Sequence, residues 1–385
     1  MPHTLADTIS DPVPIVSMTV STDNHVQIGG RKSELAQCQN NIVRALIEKE
    51  FPELSCDVLA LNTLGDQVLN KPLYSFGGKL LWTKELEILL VEGVGQYPRL
   101  DLIVHSLKDM PTTLPDEFEL GCILHREDPR DALVMKAGSP YKLLADLPAG
   151  LVVGTLSIRR LAQLLRNYPH LKFESVRGNV HTRLAKLDDP EGTYSCLMLA
   201  NAGLTRLGLA HRITTLLDAP DMYYAVGQGA LGIEIRKGDE KMKNILKRLE
   251  DLPTTLCCLA ERSLMRYLEG GCSVPLGVKT NFDEESNQLS LKACIVSPDG
   301  TKVVEDGYEM RVTTKEDAEA LGIKVGDLLI AKGGRDILAA IDFTRINQRP
   351  NILSDGSATS SPAPASPALN SLAILPSPAQ AKQVN

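Results

Sequence analysis

Short apolar segments alternate with amphipathic helical patterns along this chain, and that alternation limits its fold more than any other feature. The predicted strands are Val26–Ile28, Cys56–Leu61, Leu100–Val104, Ala132–Met135 and Leu151–Val153. Between the first three of them, apolar residues recur at helical spacing after Ser33 and again after Thr83. Such alternation is typical of α/β folds with parallel sheets, whose ligands bind beyond the carboxyl ends of the strands.

Residues 154–183 contain two predicted helix starts, and four arginines lie close to them: Arg159, Arg160, Arg177 and Arg183. A helix N-terminus attracts anions through its unpaired N–H groups, and the planar guanidinium matches a carboxylate or a phosphate. Residues 151–212 contain nine Lys or Arg against four Asp or Glu, although the whole chain carries −7. A basic stretch in an acidic protein predicts a specific anionic ligand, whereas DNA binding would favour a broader basic surface. For any one arginine, a solvated helix face is the alternative.

The chain repeats one short pattern. The segment Gly29–Gln37 (G-G-R-K-S-E-L-A-Q) is similar to Gly154–Gln163 (G-T-L-S-I-R-R-L-A-Q). Both place a glycine turn after a strand, then a serine near a helix start with basic residues beside it. Two α/β lobes that direct a helix N-terminus at a shared cleft would produce this repeat, and chance similarity is the alternative.

A polar segment follows the predicted strand Leu100–Val104. It holds the imidazole of His105, the hydroxyl of Ser106, the ammonium of Lys108 and the carboxylate of Asp109, and a proline ends it. At the carboxyl end of a strand these groups are candidates for ligand binding and proton transfer. An ordinary polar exit from the strand is the alternative interpretation.

The last part of the chain predicts a small α+β domain. A helix is expected from Thr254 to about Leu268, then a hairpin, then a helix over Val325–Ile341 interrupted at Gly333-Gly334. Cys272 follows a glycine pair on a predicted loop, where a thiol is either accessible or buried against the loop. None of the eight cysteines has the spacing of a zinc ligand set, so no metal site is expected.

Composition limits the class of protein. A chain of 385 residues with 43% apolar and 23% charged residues predicts two or three globular domains, and no apolar run approaches the roughly 18 residues of a membrane helix. Residues 1–24, with three Asp and no Lys or Arg, are expected to form a flexible leader rather than a targeting peptide, which favours the cytoplasm. Residues 351–385, rich in Ser, Pro and Ala, are expected to be a disordered tail.

The glycines at 227, 229 and 232 spell G-x-G-x-x-G, but they precede a strand instead of opening a helix, so they do not predict a nucleotide site.

A set of ordered motifs over residues 26–347 resembles the porphobilinogen deaminase (hydroxymethylbilane synthase) family in its fungal form. The motifs are G-G-R-K-S-E-L-A-Q, T-L-G-D-Q, H-S-L-K-D-M-P-T, R-E-D-P-R-D-A, G-T-L-S-I-R-R-L-A-Q, V-R-G-N-V-H-T-R-L, L-A-N-A-G-L-T-R, A-V-G-Q-G-A-L-G and L-E-G-G-C-S-V-P. The resemblance implies two periplasmic-binding-protein-like (transferrin-like) lobes around a cleft, plus a small α+β C-terminal domain. It also implies condensation of four porphobilinogen molecules, each with an acetate and a propionate arm, into hydroxymethylbilane with release of ammonia.

The family resemblance also implies a site. Asp109 would be catalytic, stabilising positive charge on pyrrole nitrogens as ammonia leaves, and Cys272 would hold a dipyrromethane cofactor through a thioether. The other implied cofactor-binding residues are Ser106, Lys108, Ser157, Arg159, Arg160, Arg183 and Gln228. The implied substrate-binding residues are Arg31, Ser33, Arg177 and Arg206.

The resemblance sets further expectations. Residues 25–126 and 212–249 should form the first lobe, residues 127–211 the second, and residues 250–350 the domain that attaches the cofactor. We expect a cytoplasmic monomer in haem biosynthesis that passes its product to the next enzyme and binds neither nucleic acid nor membrane. Leu156 and Gly30 depart from the usual family pattern, and Leu156 removes one hydroxyl that could contact the ligand.

Two other function classes remain possible from the residues. A non-catalytic two-lobed receptor could use the same basic cleft, but it would need neither Asp109 at a strand end nor Cys272 on its glycine loop. A nucleic-acid-binding protein could use the basic stretch, but the acidic total and an aromatic content of 4% disfavour it. A family member with weak activity is a third possibility, because Leu156 replaces a serine.

Overall fold

The structure is a computed structural model that describes residues 24–61, 84–268 and 274–341. Its strands are β1 His25–Arg31, β2 Ser55–Leu61, β3 Leu102–Ser106, β4 Phe118–Ile123, β5 Asp131–Met135, β6 Val152–Gly154, β7 Lys172–Glu174, β8 Tyr194–Ala200, β9 Thr215–Leu217, β10 Leu231–Arg236, β11 Leu276–Asp283, β12 Gln288–Val296 and β13 Val303–Arg311. Its helices are α1 Glu34–Glu50, α2 Lys84–Val91, α3 Ile158–Asn167, α4 Val180–Asp188, α5 Asn201–Arg206, α6 Glu240–Lys247, α7 Leu252–Tyr267, α8 Lys315–Ala331 and α9 Gly334–Ala339.

Two five-stranded sheets form two α/β lobes, and a three-stranded antiparallel sheet forms a third, smaller domain. The strand orders are β2-β1-β3-β10-β4 in the first lobe, β7-β6-β8-β5-β9 in the second and β11-β12-β13 in the third. In the first lobe, α1 packs its Val43 and Ile47 side chains against Val26 and Ile28 of β1. This confirms the expected fold class of two α/β lobes and a small α+β domain.

The predicted parallel pairing is present in both lobe sheets, but each sheet also contains strands that run antiparallel. β1 pairs in parallel with β2 and β3, and β6 pairs in parallel with β7 and β8, as strand–helix–strand units require. In contrast, β10 is antiparallel to β3 and β4, and β5 is antiparallel to β8 and β9. β5 and β10 directly follow the two segments that join the lobes, so no crossover helix sets their direction.

The joining segments, residues 124–130 and 218–230, lie against each other where the lobes meet. Arg206 and Glu127 both contact the carbonyl oxygen of Gly229, at Nη2–O 2.7 Å and N–O 3.3 Å. Gly229 has a φ of +90°, and a Cβ at this position would collide with the carbonyl oxygen of Glu127. The glycine therefore allows the two segments to approach closely.

One buried carboxylate connects the third domain to both joining segments. Glu261 of α7 accepts from Arg126 at 2.7 and 3.0 Å, from the Gly227 amide at 2.7 Å and from the Thr280 hydroxyl at 2.8 Å. Arg126 also donates from Nε to the carbonyl oxygen of Gln228 at 2.7 Å. Because a buried charge is costly without a partner, these hydrogen bonds hold the third domain against the joining segments.

Polar side chains cap the N-termini of helices in both lobes and in the third domain. Ser33 caps α1 by accepting from the Ala36 amide, and Ser157 caps α3 by accepting from the Arg160 amide. In the third domain, Thr314 and Asp317 form a capping box, so α8 begins at Lys315, ten residues before the predicted start at Val325. The sequence prediction followed the apolar spacing and missed this cap.

Several expectations concern residues outside the described ranges. Residues 1–23 of the leader, Cys272 with its glycine pair, and the tail all lie there, so their predictions are untested. The lobe boundaries also stay a prediction. The strand Thr215–Leu217 belongs to the sheet of the second lobe, so that sheet extends past the boundary placed at residue 211.

Candidate active site

The loop after β3 carries Lys108 and Asp109 at the edge of the first lobe. Leu107 is buried and donates its amide to the Ala230 carbonyl oxygen at 3.0 Å, and Met110 is buried after it. These two anchors hold a single 3₁₀ turn, Leu107–Asp109, in which Lys108 is partly buried and Asp109 is exposed. The carboxylate is thus available at the carboxyl end of the strand, where α/β sheets bind ligands.

Lys108 lies close to charges from the second lobe. Burial lowers the pKa of Lys108 to about 8. Asp109 opposes this fall, the guanidinium groups of Arg160 and Arg159 add to it, and Asp131 opposes it. Since β3 belongs to the first sheet and α3 follows β6 of the second sheet, charges from both lobes act on Lys108.

Arg159 and Arg160, at the start of α3, are buried around one carboxylate, that of Asp131. Arg159 Nη1 donates to Asp131 Oδ2 at 2.7 Å, and Arg160 Nε and Nη2 donate to Asp131 Oδ1 at 3.1 and 2.8 Å. Burial alone would raise the pKa of Asp131, but the two guanidinium groups hold it well below its ordinary value. Burial lowers the pKa of Arg159 although Asp131 opposes the fall, and the neighbouring charge of Arg160 adds to it.

Gln228 reaches the same carboxylate from the second joining segment. Its Nε2 donates to Asp131 Oδ1 at 2.8 Å and to the Pro129 carbonyl oxygen at 2.6 Å. Both partners are acceptors, so they define which end of the amide is the nitrogen. Its Oε1 atom is buried and has no hydrogen-bond partner in the structure as described.

Arg183, on α4, completes the group of cations. Its Nε donates to the Gly178 carbonyl oxygen at 2.7 Å, which holds the side chain against the turn that precedes the helix. Burial lowers the pKa of Arg183, the charge of Arg160 adds to this effect, and Asp109 opposes it. We call Lys108, Arg159, Arg160 and Arg183 the cationic cluster.

Ser106 and Arg206, two further predicted residues, contact other elements of the protein. Ser106 exchanges hydrogen bonds with Gln39 of α1, at Oγ–Nε2 2.9 Å and Oγ–Oε1 3.2 Å, so its hydroxyl ties β3 to that helix. Arg206 binds the Gly229 carbonyl oxygen, and burial lowers its pKa. Its Nε is buried without a partner among the described residues.

Two predicted serines and two predicted arginines lie at turns. Ser33 and Ser157 both act as helix caps, with 3.4 Å contacts to backbone amides, so the repeat found in the sequence reflects a shared start of α1 and α3. Arg31 ends β1, and Arg177 precedes α4; both are partly buried. The proposed role of Arg31, Ser33 and Arg177 in substrate binding stays a prediction.

Sequence reasoning missed Asp131, although one signal was present. An aspartate opens a strand whose next four residues are apolar, and it stands in the motif R-E-D-P-R-D-A. A charged residue at the start of a buried strand needs a buried partner. The partners, Arg159 and Arg160, are almost 30 residues away, so their identity could not be read from the pattern.

No group of three His, Cys, Asp or Glu side chains among the described residues could hold a metal ion. Nor does any helix within the described ranges have the length and apolar character needed to span a membrane.

Comparison with known proteins identifies two family domains. Residues 26–244 match the family model described as porphobilinogen deaminase, dipyromethane cofactor binding domain, and residues 255–331 match the porphobilinogen deaminase C-terminal domain. Among solved structures, the periplasmic VFT2 domain of Bordetella pertussis BvgS aligns with 59% of this chain and 87% of its own length, at 10% identity and a TM-score of 0.34. Because so low a score says little about shared topology, the fold assignment rests on the strand order.

Relatives named porphobilinogen deaminase align along most of their length. The protein of Debaryomyces hansenii is 69% identical over 345 residues, which cover 90% of this chain and 94% of the relative. The protein of Candida albicans is 66% identical over 86% of this chain and 98% of the relative, and that of Saccharomyces cerevisiae is 58% identical over 83% and 98%. With both domains matched and these identities, the chain belongs to the porphobilinogen deaminase family.

Proposed function

We propose that the cationic cluster and Asp109 form the active site in which this protein binds and joins its substrates. As a member of its family, the protein condenses four porphobilinogen molecules head to tail into hydroxymethylbilane, with release of ammonia, in tetrapyrrole biosynthesis. Its cofactor is dipyrromethane, which the family model names. The observation that carries the assignment of the site is the burial of Arg159 and Arg160 around one carboxylate, close enough to Lys108 to lower its pKa.

The residues present fit a cofactor that carries carboxylates. The cluster contributes four cations, whereas the carboxylates that act on it are Asp131 and Asp109. Within the part of the chain that the structure describes, Arg159 Nε is buried without a partner. A carboxylate ligand would supply the missing acceptor and the missing negative charge, which makes the buried cations favourable.

Lys108, Arg159, Arg160 and Arg183 would therefore hold the acetate and propionate arms of the cofactor and of the growing chain. When bound, dipyrromethane supplies the pyrrole to which the first substrate is joined. Both hydrogens of the Gln228 amide are donated to protein acceptors, so a contact of this residue with the cofactor would use its Oε1 atom. It supports Asp131, and only its Oε1 atom has unused capacity among the described residues.

Asp109 would act on the substrate's proton and charge. Its exposed carboxylate lies where it influences both Lys108 and Arg183. The aminomethyl nitrogen of porphobilinogen must gain a proton to leave as ammonia, and its departure places positive charge on the conjugated pyrrole ring. A carboxylate oxygen beside the pyrrole N–H stabilises that charge and can move a proton, while the cations bind the acid arms.

Replacing Asp109 by asparagine tests this role. The enzyme with its cofactor is mixed with one equivalent of porphobilinogen, and intact mass follows the covalent pyrrole additions. We expect Asp109→Asn to slow addition by about 10²-fold or more, since it removes both the negative charge and the proton acceptor. Asp116→Asn, at an exposed aspartate in the following loop, is the control and should add pyrroles at the normal rate. Addition by Asp109→Asn within threefold of the control would refute the assignment.

We also propose that Cys272 attaches the cofactor, as the family resemblance implies; this residue lies outside the described ranges. The intact mass of protein from cells that make porphobilinogen should exceed the chain mass by one dipyrromethane. Cys272→Ser should remove that increment, whereas Cys38→Ser, which changes a partly buried thiol on α1, should keep it. An increment that persists in Cys272→Ser would place the attachment elsewhere.

The sequence resemblance further supports a cytoplasmic monomer that passes hydroxymethylbilane to the next enzyme of haem biosynthesis. Size-exclusion chromatography with light scattering and cell fractionation would test these two proposals.

A further inference from the structure

Asp131 is the buried carboxylate that contacts two arginines of the cationic cluster. It begins β5, its side chain is fully buried, and four hydrogen bonds from Arg159, Arg160 and Gln228 end on its two oxygens at 2.7–3.1 Å. One of these donors arrives from the second joining segment, and two arrive from the start of α3. The carboxylate therefore lies where three separate parts of the chain meet.

A purely structural role would not require this arrangement. One buried carboxylate is balanced by one guanidinium, but Asp131 has two, and the surplus positive charge is unfavourable in a protein interior. Exchanging one of the arginines for an apolar residue would remove that surplus. The surplus is understandable if a second negative charge, from a ligand, joins the group.

We propose that Asp131 is a positioning residue that holds Arg159 and Arg160 in the orientation needed to bind ligand carboxylates. This inference rests on the function proposed above. Arg159 Nη1 is held by Asp131 and by the Tyr223 carbonyl oxygen at 2.6 Å. Arg160 is held by Asp131 through Nε and Nη2, and by the Met198 carbonyl oxygen through Nη1 at 2.8 Å.

These contacts hold each guanidinium on one side and leave other donors for a ligand. A guanidinium has five N–H donors. Within the described ranges Arg159 donates only from Nη1, so its Nε and Nη2 donors remain, and Arg160 keeps one N–H on each of Nη1 and Nη2. Side chains that are oriented before the ligand arrives lose little conformational entropy on binding, which strengthens the interaction.

Asp131 also sets the charge of the site. Four cations with Asp131 and Asp109 leave a charge of +2 when Lys108 is protonated. That charge balances the −2 of the two carboxylates on one pyrrole that bears an acetate and a propionate arm. Without Asp131 the charge rises to +3, and the two arginines repel each other with no carboxylate between them.

The test compares Asp131→Asn and Asp131→Glu with Asp188→Asn, all in the full chain. Asp188 makes a two-point pair with Arg212 in the same lobe, at 2.8 and 2.9 Å, so it controls for the loss of an ordinary Asp–Arg contact. Three quantities are measured: the melting temperature, the fraction of chains that carry the dipyrromethane mass increment, and kcat and KM for porphobilinogen.

Positioning predicts a particular combination of results. Asp131→Glu keeps the charge but moves the oxygens by one methylene, so we expect a folded protein whose KM rises about tenfold while kcat of the loaded fraction changes less than threefold. Asp131→Asn should show a larger rise in KM and a lower fraction with the mass increment. Asp188→Asn should match the unmodified protein in KM and in loading.

Other outcomes would overturn the inference. A purely structural role would lower the melting temperature of the Asp131 variants but leave KM of the folded, loaded fraction unchanged. Failure of both variants to fold would likewise assign Asp131 to the fold alone. Arg160→Gln separates the two proposals: a normal KM and normal loading there would refute the arginine site itself. A raised KM in Arg160→Gln with a normal KM in both Asp131 variants would refute only the positioning role.

Discussion

Replacing Lys108 by methionine tests how much the free energy of unfolding is lowered by burying an ammonium group near other cations. The pKa of Lys108 falls from an ordinary 10.5 to about 8 because the ammonium is buried and lies near Arg160 and Arg159. Each pKa unit corresponds to about 1.4 kcal/mol, so the protonated lysine destabilises the folded state by roughly 3 kcal/mol. Methionine has no charge to bury, although it also loses the contacts that the ammonium makes.

The pH dependence separates these two effects. The unfolded chain keeps the proton on Lys108 up to pH 10.5 and the folded chain only up to about 8, so the unfolded state binds more protons between these values. Stability of the unmodified protein therefore rises with pH across that window, and the full penalty is present below pH 8. Between pH 7 and 9.5, the stability of the unmodified protein relative to Lys108→Met should increase by about 2 kcal/mol.

Urea unfolding at the two pH values measures this difference. A Cys272→Ala background keeps the bound cofactor from supplying carboxylates, which would raise the pKa of Lys108 and reduce the effect. Groups that titrate equally in both proteins cancel in the comparison. A stability difference that stays constant within about 0.5 kcal/mol from pH 7 to 9.5 would refute the claim that burial and neighbouring arginines depress this pKa.

Two further substitutions test the contacts that hold the third domain. Glu261→Gln leaves Arg126 buried without a carboxylate and weakens the acceptor for the Gly227 amide, so urea unfolding should show a loss of about 3–5 kcal/mol. Thr314→Ala removes the cap that accepts from the Asp317 amide at 3.1 Å, and the same assay should show a loss of about 1 kcal/mol.

Each substitution has a matched control. Glu319→Gln breaks an exposed ion pair with Arg266, also in the third domain, and should change stability by less than about 1 kcal/mol. If Glu261→Gln lost no more stability than Glu319→Gln, the buried pair of Glu261 with Arg126 would not be important for the fold. Thr314→Ser keeps the capping hydroxyl and should restore most of the stability that alanine removes; equal losses would show that the cap contributes little.

Some features of the site could be predicted because their cause is local. The serine caps of α1 and α3 follow from a side-chain oxygen placed just before a helical pattern, and both are present at Ser33 and Ser157. The polar segment was predicted to follow the end of a strand, and the structure has Lys108 and Asp109 on one turn directly after β3. The ordered motifs added the family, which the two matched domains confirm.

Other features depend on residues that are distant in the sequence. No local pattern shows that Arg159 and Arg160 share Asp131, or that Gln228 arrives there from another segment. The antiparallel pairing of β5 with β8 and of β10 with β3 likewise depends on how the chain passes between the lobes. The depressed pKa of Lys108 requires burial beside charges from the second lobe, which composition cannot report.

The sequence by itself thus determined the α/β elements, the helix starts near the site and the family, because periodicity, caps and ordered motifs act over a few residues. Only the tertiary structure decided which cations meet, which carboxylate they share and how much positive charge remains for a ligand. Electrostatic energy depends on distance and on the exclusion of water, and both are set when separate segments pack together.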